Sequence, residues 1–177
     1  LLWAFSSGPD PGKSGVPGES SCAECHTGTP LNGGPGSINA TFAGGQTYTP
    51  GQRQRVTVAI TDADQRRFGF QMTARLGSDA TSQAGSFTPA DGTTQVLCST
   101  PPFTAQQPAP CPANLPLQYI EHTSEGSRSG RSTYEFEWTP PASDVGPVTF
   151  YLAANAANAD GTNRGDRIYT RTFTLTP

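Results

Sequence analysis

The residues of this chain best suited to chemistry are Cys22-Ala23-Glu24-Cys25-His26. Thiols three positions apart can add to the vinyl groups of one porphyrin, and the adjacent imidazole then reaches the iron as its fifth ligand. The spacing predicts one covalently attached haem c, with Cys22 and Cys25 as thioethers and His26 as the proximal ligand. Two other chemistries use such a pair. Zinc asks for four N/S ligands in paired spacing, and the remaining candidates, Cys98, Cys111 and His122, are not paired. A thioredoxin-like redox pair opens a helix in a βαβ unit, whereas this one sits between a Gly/Pro-rich lead-in and Thr27-Gly28-Thr29-Pro30.

What fills the sixth position of the iron separates electron transfer from ligand chemistry. His122 is the only other histidine. It falls at the end of an expected strand beside a turn, where a side chain can reach a haem mounted at the end of the domain, and it is the expected distal ligand. Met72 is the alternative, although it shares an alternating face with Phe68 and Phe70, the pattern of core filler. A vacant or intermolecular position is the third. Bis-His ligation implies a lower reduction potential than His/Met ligation.

The elements that must hold these groups read as strands. Only 14% of the residues are charged, and 20 glycines and 17 prolines punctuate 177 positions, against about a quarter charged in ordinary soluble domains. Ser6 to Gly18 cannot hold a helix and reads as an extended, turning lead-in, so the pentapeptide sits on an N-terminal loop. Ser37 to Phe42 is a short strand. Val56, Val58 and Ile60, then Phe68, Phe70, Met72 and Ala74, alternate with smaller or polar residues, as half-buried strands do. Short strands over 85–88 and 94–98, a strand over Leu117 to Thr123, and a polar hairpin turn over Ser124 to Gly130 follow. Tyr134, Phe136 and Trp138 alternate with Glu135 and Glu137; Val148 to Ala154 and Ile168 to Leu175 complete the set. Eight or nine strands without a helical period predict an all-β, Ig-like antiparallel β-sandwich carrying an N-terminal haem-binding loop. The division is a tail and lead-in over 1–18 and one domain over 19–177. Cys98 and Cys111 flank a Pro-rich stretch without periodicity, and a disulfide across it would stabilise the fold by about 3 kcal/mol.

Several of these segments together resemble a known family. Gly15-Val16-Pro17-Gly18-Glu19, Cys22 to His26, Phe68-Gly69-Phe70-Gln71, Tyr119-Ile120-Glu121-His122-Thr123, Trp138-Thr139-Pro140-Pro141 and Asn155-Ala156-Ala157-Asn158 with Gly165-Asp166 resemble the bacterial reeler-like, choice-of-anchor family of exported monohaem β-sandwich domains. The resemblance covers nearly the whole chain. It implies a fold like the N-terminal domain of reelin, haem c at Cys22 and Cys25, His26 proximal and His122 distal.

The function expected is that of an exported monohaem cytochrome c carrying single electrons to a redox partner protein or an extracellular acceptor, without enzymatic catalysis. A structural or adhesive surface module with an accessory haem is the rival, and a haem gas sensor is a third reading that needs an open distal site. Covalent haem c is made outside the cytoplasm, and a Cys98–Cys111 disulfide needs an oxidising compartment. Leu1-Leu2-Trp3-Ala4-Phe5 is apolar enough to follow a removed export signal. The same tail either folds back on its own domain or docks on a neighbouring subunit as an added strand, giving a homo-oligomer or filament. A net charge of -3, with Lys13 the only lysine and the arginines dispersed, argues against nucleic acid. No apolar run approaches the ~18 residues of a membrane span. Asn158, Asp160, Asn163 and Asp166 offer oxygens for Ca²⁺, without the order of an EF-hand, and an ordinary polar turn explains them. Arg128 and Arg131 are candidates for haem propionates. Asn39-Ala40-Thr41 matches a glycosylation acceptor, as many strands do by chance.

Overall fold

The computed structural model describes residues 6–128 and 132–177, without the side chain of Arg128. The expected docking of Leu1 to Phe5 and the expected propionate contacts of Arg128 and Arg131 lie outside the described residues.

Twelve strands are described, the longer ones built on alternating apolar and polar residues: β1 (Thr27–Gly28), β2 (Ser37–Phe42), β3 (Gln54–Thr61), β4 (Arg67–Leu76), β5 (Asp79–Gln83), β6 (Ser86–Pro89), β7 (Thr94–Ser99), β8 (Gln106–Pro108), β9 (Leu117–His122), β10 (Thr133–Thr139), β11 (Val148–Ala157) and β12 (Arg164–Leu175). They form a β-sandwich. One sheet runs β2-β3-β10-β6; the other runs β1-β12-β11-β4-β9-β7-β8, with β5 added beside β4. All pairs are antiparallel except β1 with β12, which is parallel. The sandwich is therefore mixed at that one edge.

Between the sheets, Val56, Val58 and Ile60 of β3 and Tyr134, Phe136 and Trp138 of β10 meet Phe70 and Met72 of β4 and Phe150 and Leu152 of β11. The Phe70 and Phe136 rings stack with centroids 5.9 Å apart. Buried aromatic polar tips need partners, and they have them: Tyr134 Oη donates to the Phe68 carbonyl at 2.6 Å and Trp138 Nε1 to the Ala84 carbonyl at 3.0 Å.

The other face of β4 is also buried, although it carries Gln71, Thr73 and Arg75. The lead-in covers it. Lys13 N–H donates to Gln71 Oε1 at 2.7 Å, Gln71 Nε2 donates to the Asp10 carbonyl at 3.1 Å, and Arg75 donates to Glu19 Oε1 at 2.9 Å. A turn from Gly15 to Ser20 closes with N–H···O bonds of 2.9 Å (Gly15 to Ser20) and 2.8 Å (Glu19 to Val16). The chain thus arrives at Cys22 along a strap bonded to the sheet.

Three local expectations change. Ser124 to Gly130, expected as a hairpin turn, holds a short helix α1 (Ser124–Arg128), because Thr123 Oγ1 accepts the Gly126 N–H at 3.4 Å and caps it. The stretch between Cys98 and Cys111 is not structureless: β8 lies within it and pairs with β7. The Cys98–Cys111 disulfide is present. Met72, the alternative sixth ligand, is fully buried in the core and does not line the cleft described below, since its place on β4 points it between the sheets.

Candidate functional site

A cleft of about 260 Å³ opens at the end of the sandwich, lined among others by Cys22, Cys25, His26, Phe70, His122 and Asn155. It gathers the thiols and the imidazoles singled out in the sequence, which arrive from separate elements. Cys22 to Glu24 form a 3₁₀ turn, capped where Ser21 Oγ accepts the Ala23 N–H at 3.3 Å. The Cys22 carbonyl accepts from the Cys25 N–H at 3.3 Å and the His26 N–H at 3.0 Å. The tight turn presents Cys22, Cys25 and His26 together. Cys22 packs against Ala153 of β11 and Ile168 of β12.

The hairpin between β11 and β12 grips the turn from the other side. Asn163 Nδ2 donates to the Cys25 carbonyl at 2.5 Å, and the Thr27 N–H donates to the Asn163 carbonyl at 2.8 Å. Asp166, buried in β12, lies with Oδ2 2.5 Å from His26 Nδ1, and Oδ1 accepts the Asn158 N–H at 3.2 Å. Asn155 Nδ2 stands 3.0 Å from His26 Nδ1 and 3.3 Å from Nε2, while its Oδ1 is buried without a hydrogen-bond partner. The stretch read as a polar turn is thus partly strand, and its polar atoms serve His26. Asp160, in the turn itself, binds Thr162 and Asn158. In the sequence, Asn163 and Asp166 read as Ca²⁺ oxygens and Asn155 as part of the family resemblance, not as partners of His26; Asn155 and Asp166 lie on the outer face of β11 and β12, with Ala153 and Ile168, where the turn of Cys22 covers them.

His122 closes the site from β9. Its ring is buried, and Nδ1 lies 3.0 Å from the Phe70 amide nitrogen and 3.2 Å from the Phe70 carbonyl oxygen. Gly69 makes room for it: a Cβ there would stand 2.5 Å from His122 Cε1. Beside it, burial pushes the Glu121 carboxyl up to about 8, although Gln71 and Gln95 donate to it.

The chemistry of this donor set fits a porphyrin better than a bare ion. Burial pushes the Cys22 thiol up to about 12, opposite to the depressed thiol of a redox pair or a thiolate ligand. Cys22 and Cys25 are both free thiols. Among the described residues no three His, Cys, Asp or Glu side chains converge on a point suited to a metal ion. A porphyrin brings its own four nitrogens and asks the protein only for axial ligands. Phe68 and Phe70 line part of the cleft, and the buried, unpartnered Asn155 oxygen leaves room there for a hydrogen-bond donor.

The Reeler domain family model matches residues 23–158. This chain belongs to that family. A crystal structure of the human F-spondin reeler domain (fragment 1) is similar at 19% identity, covering 84% of this chain and 93% of that one, with a TM-score of 0.52. A second structure of the human F-spondin reeler domain (fragment 2) shares 19% identity over 78% of this chain and 86% of that one, at a TM-score of 0.46. No curated protein sequence matches. The reeler domain assignment accounts for the β-sandwich. It begins after Cys22 and ends before Asp166, so the cleft must be argued from its own residues. Among the described residues of this reeler domain, no helix is long and apolar enough to cross a membrane.

Proposed function

We propose that this reeler domain carries one haem c and transfers single electrons outside the cytoplasm. The observation that supports the reading is the meeting, in one cleft, of the only two histidines of the chain with both free cysteines. Cys22 and Cys25 would hold the group covalently, and His26 and His122 would ligate its iron from the two sides. Haem bound in this way supplies a one-electron ferric/ferrous couple. With His26 on one side of the iron and the buried His122 on the other, no position would stay open for a substrate, which favours electron transfer over sensing or catalysis. The Cys98–Cys111 disulfide fits an oxidising compartment and hence export. The recipient of the electron would be a redox partner protein or an extracellular acceptor.

The family assignment favours a second reading, a structural or adhesive surface module in which the sandwich is primary. One preparation separates them. Expressed behind an added export signal in a host that makes c-type cytochromes, the protein should stay red after acid and organic extraction and gain the mass of one haem. A colourless, fully folded product supports the adhesive module. Carbon monoxide that binds rapidly to the reduced red protein would favour the sensor.

A further inference from the structure

The geometry points to Asp166 as a positioning residue for His26: its carboxylate holds the imidazole by Nδ1, aims Nε2 at the haem iron and makes that nitrogen a stronger donor. This inference rests on the haem reading above and adds to it a role for Asp166, which lies beyond the residues matched to the family.

Contact and burial carry it first. Asp166 Oδ2 lies 2.5 Å from His26 Nδ1, with the carboxylate side chain 0% exposed and the imidazole 15% exposed. A carboxylate can only accept, so Nδ1 must carry the proton, and the lone pair is left on Nε2. In the other tautomer, two lone pairs would face each other in a buried place. Asp166 thus selects the form of His26 that can bind a metal, as outer-shell carboxylates do for ligating histidines.

The second support is the small number of other donors around Asp166. Among the described residues its hydrogen-bond partners are His26 Nδ1 and the Asn158 N–H, the latter at 3.2 Å. Arg167, next in sequence, is turned away to Asp62 and Asp64 at 2.7 and 3.1 Å. A carboxylate that is buried without an ion pair to Arg or Lys depends on the imidazole proton for its solvation. That proton is drawn toward Oδ2, and electron density is raised at Nε2.

The backbone is shaped for this approach. Gly28 and Gly165 pack where β1 meets β12: a Cβ on Gly28 would stand 2.8 Å from Gly165 Cα, and Gly165 holds a φ of +74°. Two side-chain-free residues let the strand that follows His26 lie close enough to β12 for a residue as short as Asp to reach the ring.

Stronger donation, and the negative charge behind it, stabilise the ferric iron over the ferrous, so Asp166 lowers the potential of the couple. The test is Asp166→Asn in the haem-loaded protein, read by redox titration. Asn keeps the shape and an acceptor oxygen without the charge, and the ferrous form should be favoured about tenfold or more, a rise of about 59 mV per tenfold for one electron. The unmodified protein supplies a second measurement if the variant fails to fold. Electron paramagnetic resonance of its ferric form should show g values less spread than those of a haem with two neutral imidazoles. A red variant with an unchanged potential, or an unmodified protein with the spread of neutral imidazoles, would overturn the role of Asp166 and leave the haem reading intact. A colourless unmodified protein would overturn both.

Discussion

His122 Nδ1 lies 3.0 Å from the amide nitrogen of Phe70 and 3.2 Å from the Phe70 carbonyl oxygen. The ladder between β4 and β9 pairs Met72 with Ile120 and Gln71 with Glu121, and at the next position the imidazole takes over. If Nδ1 accepts the amide proton, Nε2 carries the hydrogen; if Nδ1 donates to the carbonyl, Nε2 keeps its lone pair for iron. The strand end can serve both tautomers. His122→Ala should therefore open the sixth position, so that the reduced protein binds carbon monoxide and the oxidised protein loses its bis-imidazole signature in near-infrared magnetic circular dichroism. Leaving the buried Phe70 carbonyl without its imidazole donor should also cost about 1–3 kcal/mol in denaturant titrations. A signature that survives the substitution would remove His122 from the ligand set.

Gly69 is the floor under that ring. An added Cβ would stand 2.5 Å from Cε1 and 2.7 Å from Nε2 of His122, closer than any packing tolerates, and Phe70 holds the ring in place. Gly69→Ala should displace the imidazole at a cost of about 1–3 kcal/mol. The visible spectrum should then show a mixture of six- and five-coordinate haem still covalently attached, because Cys22 and Cys25 are untouched. An unaltered spectrum would mean that the ring has slack there.

The sandwich was legible wherever apolar residues alternate, as Tyr134, Phe136 and Trp138 do, because burial of one face leaves a period of two. β5 and β8 are short and polar, so nothing in their residues distinguishes them from turns. The pentapeptide was legible because its chemistry is local. Asp166 was not: its partner His26 is brought near by the packing of the 3₁₀ turn on β11 and β12, and Asp in a polar stretch reads as solvent-exposed. Arg75 is illegible for the same reason. Its outward position on β4 reads as surface, but a lead-in whose Gly and Pro content says only "loop" is bonded over it.

The disulfide joins Cys98, fully buried at the end of β7, to Cys111 across a separation of 13 residues. Closing a loop of that size restricts the unfolded chain by about 3 kcal/mol. Replacing both cysteines by serine should lower stability by roughly that amount, somewhat more if the hydroxyl introduced in the buried place of Cys98 finds no partner. Dithiothreitol should lower the denaturation midpoint in the same way yet leave the colour on the chain, since thioethers are not reduced. Loss of haem under reductant would mean that the group is not held by Cys22 and Cys25.

Arg75 and Glu19 tie the strap to the sheet. The guanidinium is 0% exposed and the carboxylate 9%, 2.9 Å apart, and Tyr119 Oη joins both, accepting from Arg75 at 2.5 Å and donating to Glu19 at 2.8 Å. Burial raises the Tyr119 phenol far above its ordinary range, so it remains a donor to Glu19 at any working pH. Removing one member of a buried pair leaves the other charge uncompensated, at roughly 3–5 kcal/mol, whereas exchanging both for apolar residues of similar volume is often neutral. Glu19→Ala should thus lower the denaturation midpoint strongly, and Glu19→Leu combined with Arg75→Met should recover most of the loss. Because Cys22 follows Glu19 by three positions, the single variant should also carry less covalent haem per chain, and the double variant should regain it. If the single variant is as stable as the unmodified protein, the strap is held by Gln71 and the backbone contacts of Lys13 and Asp10, and the ion pair contributes little.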